Sequence, residues 1–209
     1  MRNIYVTPAR MVEENRSIHI GTYSTPFRNA NILDAPLYAF PAPVFWKNFR
    51  LKEWQHYGII TPSHYFGFVI FDAKFTGVSF FYAYDRQKNT RFEHVRQGGG
   101  KDLRVAAQVY NDACRFDAPG YRIRFENKLD EGYHRIVMDI EGDNRRPAVR
   151  GDMTVYEDLS VVEPLVQVSP ITARRPLYTH KAALPASGSI RLGSEEITLQ
   201  RDTCITLLD

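Results

Sequence analysis

Residues Tyr121–Ile140, YRIRFENKLDEGYHRIVMDI, carry the pattern that decides the fold. The first half alternates Tyr121, Ile123 and Phe125 with Arg122, Arg124 and Glu126. The second alternates Ile136, Met138 and Ile140 with Arg135, Val137 and Asp139. A period of two places one set of side chains in a core and the other in water, as in antiparallel strands with one covered face. Between the halves, Asp130–Gly132 supplies turn chemistry, so the stretch predicts a β-hairpin.

Working outward, the same logic recurs. HYFGFVIFD (64–72) and FTGVSFFYAYD (75–85) read as aromatic-rich strands separated by Asp72-Ala73-Lys74. LRVAAQVYND (103–112) points Leu103, Val105, Ala107 and Val109 one way. DMTVYEDL (152–159) and EPLVQVS (163–169) follow, and GSIRLGSEEITL (188–199) folds on Gly193-Ser194 with Ile190, Leu192, Ile197 and Leu199 inward. Many short strands with turns between them predict an all-β fold, a meandering antiparallel barrel or sandwich, with 1–209 as one β-rich domain. The main helix candidate is PVFWKNFRLKEW (43–54), where Pro41 and Pro43 precede Val44, Phe45 and Phe49 at helical spacing; an extended strand fits it equally. RQGGGKD (96–102) reads as a flexible loop.

The 209 residues suffice to bury a core without disulfides. Net charge is +3, and the basic residues are scattered rather than arranged in a stripe with stacking aromatics, which argues against nucleic acid. Cys114 and Cys204 have no Cys-x-x-Cys partner and fit buried free thiols in a reducing compartment. The start lacks a secretory apolar region, and the longest apolar run, YFGFVIF, is too short for a membrane-spanning helix. A cytoplasmic protein without a transmembrane segment is the expectation.

No compact metal motif joins His19, His56, His64, His94, His134 and His180, so neither metal nor cofactor is expected. Gly98-Gly99-Gly100-Lys101 lacks the spacing and the Ser or Thr of a phosphate loop, and Ala186 stands where a serine-hydrolase elbow needs glycine. Two blocks remain. Trp46 and Trp54 bracket Lys47, Arg50, Lys52 and Glu53. If extended, Arg50, Lys52, Trp54 and His56 share a face that could recognise an anion or rim a cavity. In YTHK (178–181), Tyr178 and His180 share one face, with Thr179 and Lys181 on the other. An imidazole there can serve as acid or base near neutral pH, with Asp72, Asp85 or Asp209 as available carboxylates.

WKNFRLKEWQHYGI (46–59), SFFYAYDR (79–86), PLYTHKAALPASGSIRLG (176–193) and the final LLD together resemble the domain of unknown function 2804 family over about Gly21–Asp209. Tyr-Thr-His-Lys followed by Pro185 and Gly188 is the specific part. The resemblance implies a longer protein whose members continue past the residue equivalent to Asp209 into a further β domain, so the chain would be its N-terminal portion and that C-terminal domain its partner. It also implies a distant similarity to lipocalin-like two-barrel proteins, among them carotenoid hydratases and tocopherol cyclases, which act on isoprenoid chains.

Three functional expectations follow. The first is an apolar, lipid- or isoprenoid-like ligand in a cavity lined by Phe66, Phe68, Phe80 and Tyr82, with Trp46, Arg50, Lys52, Trp54 and Lys181 contributing. The second is an acid–base enzyme on a lipophilic substrate, a hydratase, cyclase or isomerase, with His180 as proton donor or base and Tyr178 and Asp85 as its partners. The third is a structural half-domain, for which Ile205–Asp209 would form an exposed edge strand.

Overall fold

The computed structural model describes residues 3–209. The hairpin predicted at Tyr121–Ile140 forms as β9 (Tyr121–Lys128) and β10 (Tyr133–Ile140), with Phe125 opposite Ile136, Ile123 opposite Met138 and Tyr121 opposite Ile140. The turn closes at Gly132, whose φ of +79° is left-handed and disfavours a residue with a Cβ. Every one of those six apolar side chains is buried.

The other elements, in chain order, are β1 (Ile4–Tyr5), β2 (Gly21–Tyr23), α1 (Val44–Arg50), β3 (Glu53–Ile60), β4 (His64–Asp72), β5 (Gly77–Asp85), β6 (Thr90–Gly98), β7 (Leu103–Arg104) and β8 (Asn111–Ala118) before the hairpin. After it come β11 (Val149–Tyr156), β12 (Leu165–Thr172), β13 (Arg175–Leu184), β14 (Ala186–Leu192), β15 (Glu195–Leu199) and β16 (Ile205–Leu208). They build two sheets. The nine-stranded one runs β1-β2-β12-β13-β16-β3-β4-β5-β6 and the seven-stranded one β15-β14-β11-β10-β9-β8-β7. Among the described residues, all pairings between these strands are antiparallel except β1 with β2. The all-β expectation thus resolves into a sandwich of two sheets. Its shared core is aromatic: Tyr57, Phe66, Phe68 and Phe81 from the large sheet meet Phe116, Tyr121 and Phe125 from the small one, all at 1% exposure or less. The Tyr57 and Phe125 rings meet edge-on at 5.0 Å, a favoured aromatic geometry. A second, smaller core under β2 and β12 holds Met11, Phe27, Val166 and Val168.

Two expectations change, and one left open between helix and strand is decided. The run 103–112 is not one strand: it breaks after Arg104 because Asp112 accepts the Ala107 N–H at 2.7 Å and the Arg104 guanidinium at 2.6 Å, which folds the segment into a loop. The segment around Trp46 is a short helix rather than extended, begun by Pro43. The segment 205–208 is not an edge, because β16 lies in the middle of the large sheet between β13 and β3.

That last placement leaves an opening. β16 pairs with Tyr57–Ile60 of β3 and Ala182–Leu184 of β13, and Asp209 exchanges backbone hydrogen bonds with His56 at 2.7 and 2.9 Å. Both neighbours run on past it. Among the described residues, the facing backbone edges of Glu53–Gln55 and Arg175–His180 have no strand partner there. The helix α1 lies at this end. Lys47 Nζ donates to Leu33 O at 3.2 Å, and Lys52, just after the helix, donates to Ala73 O beyond β4. Cys114 and Cys204 are both buried and are free thiols, not joined in a disulfide. No helix among the described residues is long and apolar enough to cross a membrane.

Candidate functional site

The inward rows of five strands end in polar residues at the same end of the sandwich. On β9, Tyr121, Ile123 and Phe125 are followed at the same parity by Asn127. On β10, Ile140, Met138 and Ile136 lead to His134. On β11, Met153 and Val155 lead to Glu157, on β3 Ile59 and Tyr57 lead back to Gln55, and on β13 Leu184 and Ala182 lead to His180 and Tyr178. The hairpin register sets Asn127 opposite His134. A strand cannot point these side chains outward without turning its apolar row outward as well, so they are buried as a group.

The group satisfies itself with one connected set of hydrogen bonds. Glu157, with no solvent exposure, receives His134 Nε2–H at 2.8 Å on one oxygen and His180 Nε2–H at 2.7 Å on the other. His134 Nδ1 faces Asn127 Oδ1 at 3.1 Å, and Gln55 Nε2 donates to that same oxygen and to the Tyr57 hydroxyl, both at 2.8 Å. The Cys114 thiol donates to Gln55 Oε1 at 3.0 Å. His134 thus has an oxygen facing each ring nitrogen, the Asn127 amide on one side and the Glu157 carboxylate on the other. Burial pushes the Glu157 carboxyl up, but the hydrogen bonds from His134 and then His180 outweigh it and hold it well below the usual carboxylate range. Burial pushes the Cys114 thiol up to about 12, so it is a packing group and weak donor.

His180 differs from His134 in one respect. Its Nε2 is held by Glu157, its side chain is 9% exposed, and its Nδ1 has no hydrogen-bond partner among the described residues. Two residues along β13 on the same face, the Tyr178 hydroxyl is buried and also makes no hydrogen bond, although the Phe27 backbone lies beside it. A carboxylate that holds one imidazole nitrogen fixes the ring's orientation and leaves the other nitrogen for a further partner. Both groups lie on β13 where its edge faces the opening beside β3.

The structure separates the other expected residues. Asp85 is not near this group: its carboxylate takes the backbone N–H groups of Lys88 and Gln87 and the Lys88 ammonium at 2.9 Å, which hold it near 2, and the carboxylate that His180 meets is Glu157. Phe66 and Phe68 are closed into the core, whereas Phe80 and Tyr82 lie on the opposite, outer face of the large sheet, so the four line no common cavity. Tyr82 covers Gly67 on the neighbouring strand, where a Cβ would overlap its ring. Lys181 pairs with Asp209 at 3.0 Å on the rim of the opening. Lys52 ties the helix end to Ala73 rather than offering an anion anchor, and Arg50 ends α1 on the surface. Trp46 stacks with Phe49 at 6.1 Å and Phe49 meets Phe75 at 6.5 Å, while Trp54 packs near Phe71. These rings stay exposed: Trp46 41%, Phe49 44%, Trp54 42% and Phe75 69%.

Glu157, His134, Asn127 and Gln55 were not singled out from the sequence, although each continues an inward-facing parity. A separate polar cleft of about 570 Å³ lies over the outer side of the Glu157 backbone, with Arg28 over the Tyr110 ring and Arg201 over the Tyr156 ring. None of the residues expected from the sequence lines it.

Fold and site together define a two-sheet β-sandwich with a buried carboxylate–imidazole cluster at its open end. The chain belongs to the family described as Domain of unknown function (DUF2804), whose profile matches residues 12–209. Neither the curated proteins nor the solved structures contain a match.

Proposed function

We propose that the chain binds an apolar ligand at the open end between β3 and β13, with His180 and Tyr178 contacting the ligand's polar group. The observation that carries this reading is the exposed aromatic cluster of Trp46, Phe49 and Phe75 at that end, with Trp54 also exposed near the start of β3, of a kind that protein surfaces rarely leave uncovered without a binding role. The site is therefore at the rim of the sandwich rather than in its interior, where stacked aromatics fill the space between the sheets. Titration of the protein into N-phenyl-1-naphthylamine should give saturable fluorescence. The double substitution Trp46→Ala/Phe49→Ala should weaken it about tenfold or more, the loss of two desolvated rings. Absence of saturation, or affinity unchanged in the double variant, overturns the reading.

A second reading, acid–base chemistry on a lipophilic substrate, is favoured by the unpartnered His180 Nδ1 and Tyr178 hydroxyl. It predicts deuterium uptake from D2O into a bound long-chain alkene, read by mass spectrometry. Uptake should be lost in His180→Gln while probe binding persists. No uptake in the wild type rejects it.

A further inference from the structure

A second cluster lies at the other end of β3's neighbours, away from the open end. His64 begins β4, Asp85 ends β5 directly opposite it, and Glu195 begins β15 in the other sheet. One ligand atom from each lies within 4.8 Å of the other two. His64 is 3% exposed, and its orientation is fixed: the ring stacks on Phe66 at 5.4 Å with planes 2° apart, and Nδ1 contacts Ser63 Oγ at 2.9 Å. Its Nε2 points between two carboxylates, 3.8 Å from Asp85 Oδ2 and 3.9 Å from Glu195 Oε1, and makes no hydrogen bond among the described residues. A buried imidazole nitrogen aimed at two carboxylate oxygens, too far for hydrogen bonds, is spaced for something between them.

The spacing suits a metal. Tetrahedral zinc holds nitrogen and oxygen ligands at about 2.0–2.2 Å, hence about 3.3 Å from one another. The three groups need to close by only about an ångström, and Glu195, half-exposed at a hairpin start, is the least confined of them. Asp85 Oδ1 is occupied by the Gln87 and Lys88 N–H groups, which aims Oδ2 at the cluster. The present cation is Lys88, 2.9 Å from Asp85 Oδ2 and 3.3 Å from a Glu195 oxygen, on a side chain 64% exposed and free to swing into water.

We propose that His64, Asp85 and Glu195 form a three-ligand site for Zn2+ or a similar divalent transition ion, in competition with the Lys88 ammonium, that ties the two sheets together. Three protein ligands leave a fourth position open for water or a ligand atom. The test is calorimetric titration of Zn2+ into chelator-treated protein, with thermal unfolding alongside. One ion should bind per chain and raise the midpoint, since an ion that binds only the folded state stabilises it. Glu195→Gln, an exposed substitution that spares the fold, should weaken binding at least about tenfold. Lys88→Met should tighten it by removing the competitor. Failure of both the wild type and Lys88→Met to bind one ion, or binding undiminished in Glu195→Gln, overturns the proposal. His64→Ala, checked first for folding by circular dichroism, should abolish binding; retention in the folded variant also overturns it.

Discussion

Substituting Glu157 by Gln removes one charge and no heavy atom from a place with no solvent. The neutral amide can accept from one imidazole, but its NH2 then faces the other imidazole N–H. Neutralising the carboxylate at the centre of a buried hydrogen-bonded network costs up to about 3–5 kcal/mol, a large share of the about 5–15 kcal/mol that holds a domain folded. For a chain of this length that is a fall in unfolding midpoint of about 6–20 °C. Urea unfolding at pH 7, with the same transition slope for both proteins, measures the difference directly. The pH dependence supplies the sign. The folded-state pKa of Glu157 lies below its unfolded value of 4.5, so its contribution is complete above that pH and is lost as pH falls toward about 2. The gap between wild type and variant should therefore be widest near neutrality and narrow as pH falls below about 4.5. A variant within about 0.5 kcal/mol of wild type at pH 7 would refute the Glu157 carboxylate as the charged centre of the network.

Three further outcomes follow from the packing. Phe125→Ala should cost about 3–5 kcal/mol, since the ring is fully buried against Tyr57 and Phe68; denaturant titration checks it. Gly67→Ala should destabilise by about 1–3 kcal/mol because the added methyl overlaps the Tyr82 ring, and adding Tyr82→Ala should remove most of that penalty in a double-mutant cycle. Cys114, buried and with its thiol raised to about 12, should resist iodoacetamide at pH 8 in the native state and react fully in urea, as counted by mass spectrometry.

Much of this fold is carried by local pattern. The period of two in Tyr121–Ile140 and in 188–199, with turn residues at Asp130–Gly132 and Gly193-Ser194, fixes which side chains face inward and where each hairpin closes. Even Asn127 beside His134 is implied, because a hairpin register pairs residues close in the chain. Where local pattern failed, as at 103–112, a single carboxylate, Asp112, competed for the backbone and made a loop of an alternating run.

The candidate site was only half legible. His180 and Tyr178 stand out in YTHK, but the carboxylate that matters to them is Glu157, not Asp85, and it is brought to His180 by the packing of one sheet on the other rather than by pairing of their strands. The same holds for the position of β16 between two longer strands and for the meeting of His64 and Asp85 with Glu195. Alternation tells a strand which face is wet; it carries no information about what stands across the core. That is decided by the order of strands in each sheet and the way the sheets stack, and both depend on contacts between residues far apart in the chain.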